Sequence, residues 1–267
     1  MKAESAARKA LDLDDGVPTA HHALASLSIY RDRDWSAAER EAKRAIELGP
    51  SDVFVRWGYA QTLALMGRLD EAIDQMRVAS ELDPFGVSQG LIDLGRLYEA
   101  KGLDDRALEE WDRALQLAPT FPWTHQYIGN HYCHNGEFDR GLDSLKRSVE
   151  LSPEDPLFVA NLGHCYAVAG RSGEARNLAL QLEEQSRSRY ISPMSFALIH
   201  LGLGENDRAI RWLERAYEVQ APLLTTIVFD ERFDPLRADP RFSDLVRRIG
   251  LTEWSSEAAL APRRMVP

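Results

Sequence analysis

The sequence predicts an all-α fold, a right-handed α-solenoid of about six helical hairpins with a carboxy-terminal capping helix. The first observation behind this prediction is a recurring helix end. The stretches ELGP, ELDP, QLAP and ELSP end at Pro50, Pro84, Pro119 and Pro153, at intervals of 34, 35 and 34 residues. A fixed period in this range is typical of stacked supersecondary units. The second observation is a helical period of apolar residues before the proline, as in Ala72, Ile73, Met76, Ala79 and Leu82.

Small residues recur at fixed places in each unit, where paired helices must approach each other closely. If each proline is position 32 of its unit, position 20 holds Ala38, Ala72, Ala107 and Gly141, and position 8 holds Ser26, Ala60, Gly95 and Gly129. Position 11 is large, as at Tyr98 and Tyr132. The close packing of a helical hairpin requires such small residues opposite large ones.

The periodic pattern divides the middle of the chain into six predicted hairpins. They span residues 19–52, 53–87, 88–121, 122–155, 156–189 and 190–222. The last two hairpins follow the pattern in degraded form. The sixth begins with Ser192 and Pro193, a helix cap followed by a proline at the first helical position.

The pattern of small, aromatic and proline positions resembles that of the tetratricopeptide repeat (TPR) family, whose 34-residue unit is a pair of antiparallel helices. The resemblance covers about residues 19 to 222. The first unit departs from the family pattern in two places. Arg33 stands where a glycine usually turns the chain, and Ala42 stands where a large residue is usual.

Both ends of the chain depart from the periodic pattern. Residues 1–18 match only the second helix of a unit, and half a repeat cannot bury its own apolar face. We therefore expect the sequence either to begin inside a longer array or to have been cut from a larger protein. Residues 223–250 are expected to form a carboxy-terminal cap, with a helix that starts at Asp239 and Pro240 and ends at Gly250. Residues 251–267 have little periodicity and are expected to be a disordered tail.

The order of the elements also resembles the carboxy-terminal repeat region of bacterial multidomain regulators. The stretch DPLRADPRF, residues 234–242, is the most specific part of this resemblance. In those proteins the repeats follow a winged-helix, nucleotide cyclase or kinase domain. The resemblance implies a regulatory role, but none of those effector domains is present in this sequence.

Composition predicts a cytoplasmic protein without a membrane or nucleic-acid partner. The chain has 32 basic and 42 acidic residues, a net charge of −10, which disfavours binding to nucleic acid and anionic lipids. It contains neither an apolar run long enough to span a bilayer nor an opening signal peptide. Cys133 and Cys165 lie about one unit apart outside any CxxC pair, so they are expected to be packed, reduced thiols.

The first helix of each unit is expected to line the concave wall of the solenoid, where a partner would bind. This wall mixes amide, aromatic and charged side chains, which suits an extended peptide or a helix. The predicted partner-binding residues are Trp57, Gln61, Arg96, Trp123, Gln126, Tyr127, Asn130, His134, Asn161 and His164. No cofactor is expected.

Several of these residues have a second interpretation. Asn130 and Asn161 match the two asparagines of the carboxylate clamp of chaperone-binding repeats, but Gln126, Ile191 and Ser195 stand where its basic residues should be. Hydrogen bonds to the backbones of neighbouring helices explain the two asparagines equally well. Trp57 and Trp123 would contact either a partner or the adjacent unit. Trp111 occupies a core position and is expected to be structural.

A cluster of histidines leaves room for a third interpretation. His125, His131, His134 and His164, together with the two cysteines, would make a zinc site conceivable. No recognised spacing supplies a full ligand set, and the HExxH arrangement of metalloproteases is absent.

The predicted function is therefore a non-catalytic scaffold or sensory module that binds a protein or peptide partner, or the chain's own upstream effector domain. An alternative is self-association into a homo-oligomer of a larger regulator. A metal-dependent enzyme that uses the histidine cluster is the remote alternative.

Overall fold

The computed structural model describes residues 2–83, 87–228 and 230–251 of the chain. Within these ranges the all-α fold is confirmed, and no β-strand is present. The α-helices are α1 (Lys2–Leu13), α2 (Pro18–Leu27), α3 (Trp35–Leu48), α4 (Val53–Leu65), α5 (Leu69–Leu82), α6 (Val87–Ala100), α7 (Asp104–Leu117), α8 (Pro122–His134), α9 (Phe138–Leu151), α10 (Pro156–Val168), α11 (Ser172–Ser186), α12 (Pro193–Gly202), α13 (Asn206–Glu218) and α14 (Pro240–Ile249).

Consecutive helices pair as hairpins, α2 with α3, α4 with α5, α8 with α9, α10 with α11 and α12 with α13. The predicted small positions lie at the contacts, and Ala38, Ala72 and Ala107 are fully buried. Trp111 is fully buried as predicted, and its indole Nε1 donates to the Ile92 carbonyl at 3.1 Å. The residues that set the period of the sequence are thus the residues that pack the hairpins.

The chain forms two compact units. Unit 1 contains the described residues of 2–113 together with 249–251, and unit 2 contains residues 114–248 except 229.

The amino-terminal helix α1 packs against α2 in unit 1. Ala7 is its one buried residue, and Glu4 accepts a hydrogen bond from the Arg31 guanidinium at 2.5 Å. Residues 249–251 join the same unit, where Trp35 Nε1 donates to the Ile249 carbonyl at 3.1 Å. Leu251, the first residue of the predicted tail, is buried, and residues 252–267 lie outside the described part of the chain.

A left-handed residue reverses the chain between the two helices of each hairpin. In five hairpins that residue is a glycine, Gly67, Gly102, Gly136, Gly170 or Gly204, with φ between 70° and 79°. In the first hairpin it is Arg33, with φ of 54°, after a π-helical turn at Ser28–Asp32. A side chain in this region is strained by contact between its Cβ and the carbonyl oxygen. The departure of the first unit from the family pattern therefore has a conformational cost.

Unit 2 contains a covalent link between adjacent hairpins. Cys133 on α8 and Cys165 on α10 form a disulfide, with their Cα atoms 5.7 Å apart. Both cysteines are buried with Leu142, Leu145 and Leu162 in one hydrophobic cluster. The expectation of packed cysteines is confirmed, but the expectation of reduced thiols is wrong. The Cα separation of 5.7 Å lies within the range that a disulfide spans, so the two sulfurs can meet.

The carboxy-terminal region of unit 2 is more structured than the sequence suggested. Before α14, the chain forms two 3₁₀ segments, Pro222–Val228 and Glu231–Leu236. Their apolar side chains are almost completely buried, and these are Leu224, Ile227, Val228, Phe233 and Leu236. Helix α14 begins and ends where its sequence signals predict, and Gly250 follows it with φ of 85°.

Replacing Arg33 by glycine is expected to stabilise the protein by about 1 kcal/mol, because the left-handed strain is removed. The measurement is the midpoint of urea unfolding. The matched control is Gly136→Ala, where an added Cβ meets nothing within 4 Å, so only the backbone conformation changes. This variant should lose about 1 kcal/mol, and a stability change of the same sign in both variants would contradict the explanation.

Reducing the Cys133–Cys165 disulfide is expected to destabilise the protein by about 3 kcal/mol, because the unfolded chain gains freedom over the loop that the bond closes. Urea unfolding with and without dithiothreitol measures this difference. Cys165→Ala serves as the control, since its stability should not respond to the reductant. Equal stability of the oxidised and reduced wild type would show that the bond is not formed in solution.

Candidate functional site

The predicted concave wall of unit 2 is a network of polar side chains from α8 and α10. Asn130 Nδ2 donates to Asn161 Oδ1 at 3.1 Å, and Asn161 Nδ2 donates to the Leu157 carbonyl at 2.7 Å. Asn161 is fully buried, and His164, one turn further along α10, is almost completely buried. The two asparagines thus bond to each other, and Asn161 also bonds to the backbone of its own helix rather than to that of a neighbouring helix.

The chain's own carboxy-terminal segment contacts the same wall. The Arg232 guanidinium donates to Asn161 Oδ1, and Glu231 Oε2 lies 2.8 Å from His134 Nε2. Asp230 pairs with Arg232 at 2.5 Å. We call residues 230–232 the cis segment. At Asn161 and His134, the predicted wall of unit 2 therefore contacts residues of the same unit.

The cis segment is held in place by the 3₁₀ segment that precedes it and by the rest of the second 3₁₀ segment, which begins at Glu231. Five of their apolar side chains are at most 2% exposed, and each contributes about 1.5 to 3 kcal/mol on burial. The buried Arg237 guanidinium adds hydrogen bonds to Asp234 at 2.5 Å and to the Val228 carbonyl at 2.9 Å. An external ligand would have to displace this packing to reach Asn161.

Burial controls the ionisation of the groups around the cis segment. Removal from water, reinforced by the nearby Arg232 guanidinium, lowers the pKa of His164 to about 4. The imidazole is therefore neutral at pH 7, and its Nδ1 lies 3.0 Å from the Leu198 carbonyl oxygen, to which it donates. Burial alone would raise the pKa of Asp230, but the Arg232 guanidinium outweighs it and holds that pKa below its usual range. The wall consequently contains a neutral imidazole beside an internal ion pair.

Helix α12 closes over His164 from the next hairpin. A Cβ added at Gly202 would stand 2.8 Å from the His164 carbonyl oxygen, so only glycine allows this approach. The predicted partner-binding role of His164 would require α12 to move.

The histidine cluster is dispersed among separate partners. His125 Nε2 lies 2.8 Å from the Pro119 carbonyl oxygen, and His131 contacts the Asn135 side chain at 3.2 Å. His134 and His164 contact Glu231 and Leu198, as described above. Among residues 2–83, 87–228 and 230–251, no group of three or more His, Cys, Asp or Glu side chains has an arrangement that could hold a metal ion.

The remaining predicted residues of unit 2 form an aromatic patch. Trp123 is partly exposed, stacks on Tyr127 with ring centroids 6.2 Å apart, and meets the buried Phe158 ring edge-on at 5.1 Å. Gln126 is 3% exposed, and its Oε1 has no hydrogen-bond partner. A partner could therefore contact Trp123 and Tyr127, whereas Gln126 lies beneath the surface.

Unit 1 presents a second aromatic surface, which lies on α2, α4 and α6. Phe54 is 57% exposed and stacks on Trp57, with ring centroids 5.9 Å apart. The His22 ring meets the Phe54 ring edge-on, with centroids 4.9 Å apart. Gly58 lies directly under the His22 ring, where a Cβ would collide with it. We call Phe54, Trp57 and His22 the aromatic ladder.

A buried carboxylate fixes the orientation of the ladder. Asp93 Oδ2 accepts from Trp57 Nε1 at 2.7 Å and from Gln89 Nε2 at 3.2 Å, and Asp93 Oδ1 accepts from Arg96 at 3.0 Å. Asp93 is 6% exposed, so its charge is compensated by these three donors. Gln61, also predicted in this wall, is partly buried.

A mostly apolar pocket opens beside the ladder. It has a volume of about 340 Å³. Its lining residues are Val53, Phe54, Trp57, Met76, Ala79, Ser80, Asp83, Gln89 and Gly90. The ladder and the pocket together form an open, preorganised surface of the kind that accepts side chains of a partner.

Comparison with known proteins agrees with the repeat pattern of the sequence. The tetratricopeptide repeat family matches residues 24–87 and 128–189. Both stretches are similar to the repeats of that family. No curated protein is detectably similar in sequence to the chain.

Several solved structures contain similar repeats. The APC/C hetero-tetramer Cut9–Hcn1 matches with a TM-score of 0.63 and 17% identity over 93% of this chain, which spans 45% of that one. Human IFIT1, in a dimer with m7Gppp-AAAA, matches with a TM-score of 0.62 and 19% identity over 97% of this chain and 67% of its own. Pseudomonas aeruginosa pilF matches with a TM-score of 0.56 and 18% identity over 75% of this chain and 86% of its own. At these identities the likeness concerns the fold alone.

Repeat positions alone do not reveal the cis segment or the role of His22. Glu231 and Arg232 lie outside the periodic part of the sequence, so no register assigns them to the wall. His22 is in the first repeat, one turn after Pro18, and its proximity to Phe54 depends on how α2 and α4 stack.

No described helix is both long and apolar enough to cross a membrane.

Acidification is expected to destabilise unit 2 through His164. Its pKa in the folded chain is about 4, below the usual 6.5. Between these two pH values the imidazole is protonated in the unfolded chain and neutral in the folded chain. Stability is therefore full above about pH 6.5 and falls as the pH drops toward 4. Between pH 7.5 and pH 5 the expected loss is about 2 kcal/mol, measured by urea unfolding.

The control for this prediction is His164→Asn, whose amide can donate to the Leu198 carbonyl but does not titrate. The facing groups Arg232, Asp230 and His134 are unchanged in this variant. Its stability should fall less over the same pH range. An identical pH dependence in both proteins would exclude His164 as the source.

Proposed function

We propose that the chain is a non-catalytic scaffold that binds an extended segment of a protein partner along the concave wall of its repeats. The observation that carries this proposal is the aromatic ladder of unit 1. Phe54 is more than half exposed, yet Trp57 behind it is held by a buried hydrogen bond to Asp93. Rigid aromatic side chains at the surface lose little entropy on binding, so they favour association.

The two units contribute differently to the proposed wall. Trp57, Gln61 and Arg96 belong to the open surface of unit 1, and Trp123 and Tyr127 form a smaller accessible patch in unit 2. The cis segment contacts Asn161 and His134. We therefore assign Asn130, Gln126 and His164 a role in supporting the structure of the wall. We therefore place the principal contacts of the partner in unit 1.

The identity of the parent protein and its partner stays a prediction. A bacterial signalling regulator, with an effector domain upstream that binds the repeats, fits the resemblance of DPLRADPRF. Self-association of such a regulator is the alternative. The predicted cytoplasmic location is opposed by the Cys133–Cys165 disulfide, since such bonds persist mainly in oxidising compartments.

Selection from a displayed library of random peptides tests the proposal. The intact chain is immobilised, and peptides that bind it are enriched and synthesised. We expect peptides whose affinity falls about tenfold for Phe54→Ala, because the exposed ring provides their main contact. Isothermal titration calorimetry measures the affinities, and circular dichroism verifies that each variant is folded.

The matched control is Leu180→Ala, which removes another exposed apolar side chain, 61% accessible, from α11. This variant should bind the selected peptides as the wild type does. If no peptide is enriched over a blank surface, or if Phe54→Ala has no effect, the aromatic ladder is not a binding surface.

A further inference from the structure

The Cys133–Cys165 disulfide joins the same two helices as the polar network that holds the cis segment. The bond links α8 to α10, and the hydrogen bond from Asn130 to Asn161 crosses between the same helices at 3.1 Å. Asn161 in turn accepts a hydrogen bond from Arg232 of the cis segment. The relative position of α8 and α10 therefore determines whether these hydrogen bonds can form.

The residues next to the two cysteines make further contacts around the cis segment. His134 follows the first cysteine, and its Nε2 lies 2.8 Å from Glu231 Oε2. His164 precedes the second cysteine, and its Nδ1 lies 3.0 Å from the Leu198 carbonyl oxygen of α12. A movement of either cysteine backbone would therefore displace a side chain that contacts the cis segment or the helix beside it.

The surroundings of the disulfide leave little space for two separate thiols. Cys165 is fully buried and Cys133 almost so. A Cβ at Gly141 would collide with Cys133 Sγ, so α9 lies directly against this sulfur. Non-bonded sulfur atoms need a wider separation than bonded ones, and a close-packed interior provides it only by shifting its helices. Reduction therefore requires α8 and α10 to move relative to each other.

We propose that the Cys133–Cys165 bond is a redox-sensitive switch that keeps the cis segment on the wall of unit 2 while it is intact and releases the segment when it is reduced. The reductant is a dithiol. Its two thiols form a disulfide and supply two electrons and two protons, the bond between Cys133 and Cys165 breaks, and each cysteine sulfur keeps one proton. Because both sulfurs are buried, the exchange takes place when the cluster opens locally.

Release of the cis segment has a specific signature in its backbone. The Arg232 amide donates to Asp230 Oδ1 and the Phe233 amide to the Asp230 carbonyl, both at 3.1 Å. These amides are expected to lose their protection from solvent exchange when the segment leaves the wall. Helix α13, in the same unit, contributes none of the wall residues and reports whether the unit as a whole stays folded.

A brief pulse of deuterium labelling, read by mass spectrometry on the intact chain with and without dithiothreitol, tests the proposal. We expect protection of the Arg232 and Phe233 amides to fall about tenfold on reduction, while α13 stays protected during the pulse. Retained protection of the cis segment in the reduced protein would overturn the proposal. Loss of protection in α13 during the same pulse would overturn it too, because the whole unit would then be opening.

Leu142→Ala is the matched control for stability. It removes apolar packing from the cluster that surrounds the cysteines and leaves the bond intact. In the oxidised form of this variant the cis segment should keep its protection. An equal loss of protection would show that weaker packing, and not the redox state, releases the segment.

Thermodynamic linkage provides an independent measurement. If breaking the bond releases the cis segment, weakening the contacts of that segment must shift the equilibrium from disulfide towards dithiol. Arg232→Gln removes the guanidinium of the cis segment and should lower the ratio of disulfide to dithiol about tenfold in a dithiothreitol redox buffer. The matched control is Arg241→Gln, which loses ion pairs with Asp207 and Asp239 and should leave the ratio unchanged. Equal ratios in the two variants would contradict the coupling.

The switch and the proposed function are tested separately. The switch concerns the wall of unit 2, whereas the principal contacts of the proposed partner lie in unit 1. Failure of the labelling experiment would leave the aromatic ladder as a binding surface, and failure of the peptide selection would leave the switch.

Discussion

The close approach of two helix backbones within each hairpin is the constraint on which the rest of the structure depends. Gly141 shows its severity, because a Cβ there would collide with Cys133 Sγ and stand 2.9 Å from the Cys133 amide nitrogen. At Gly95 it would meet the Trp111 indole, with Cδ1 only 2.7 Å away. Contacts this close allow only glycine at these two positions, and the equivalent positions of other units hold small residues such as Ala38, Ala60 and Ala72. The requirement recurs in every unit, and the repeat pattern of the sequence follows from it.

The fold is predictable from sequence because its determinants are local and repeated. A glycine every 34 or 35 residues marks each left-handed turn, and the helices between them have apolar residues at helical spacing. Arg33 shows that the rule tolerates an exception. Two packed helices on either side specify the turn at that point, so the backbone adopts the left-handed conformation even with an unfavourable side chain.

The candidate site is less predictable, because its decisive contacts join residues that have no common period. Arg232 reaches Asn161 over 71 residues of chain, from a segment whose 3₁₀ turns lack the helical pattern. The cysteines illustrate the same limit. Their separation of 32 residues places them on equivalent helices, but their pairing depends on the stacking distance between those helices. The repeat pattern can assign a residue to the concave wall, but tertiary packing determines which other residues of the chain contact that wall.

The two walls differ in the free energy that a ligand must supply. In unit 2, access to Asn161 would cost the free energy of the Arg232–Asn161 hydrogen bond and of the apolar packing that holds residues 230–232 in place. A ligand there would have to recover that energy before it gained any affinity. In unit 1, Trp57 is already oriented by Asp93, and Phe54 is exposed without rearrangement. The same repeat architecture therefore produces one wall that the chain's own residues occupy and another that presents an exposed aromatic ring.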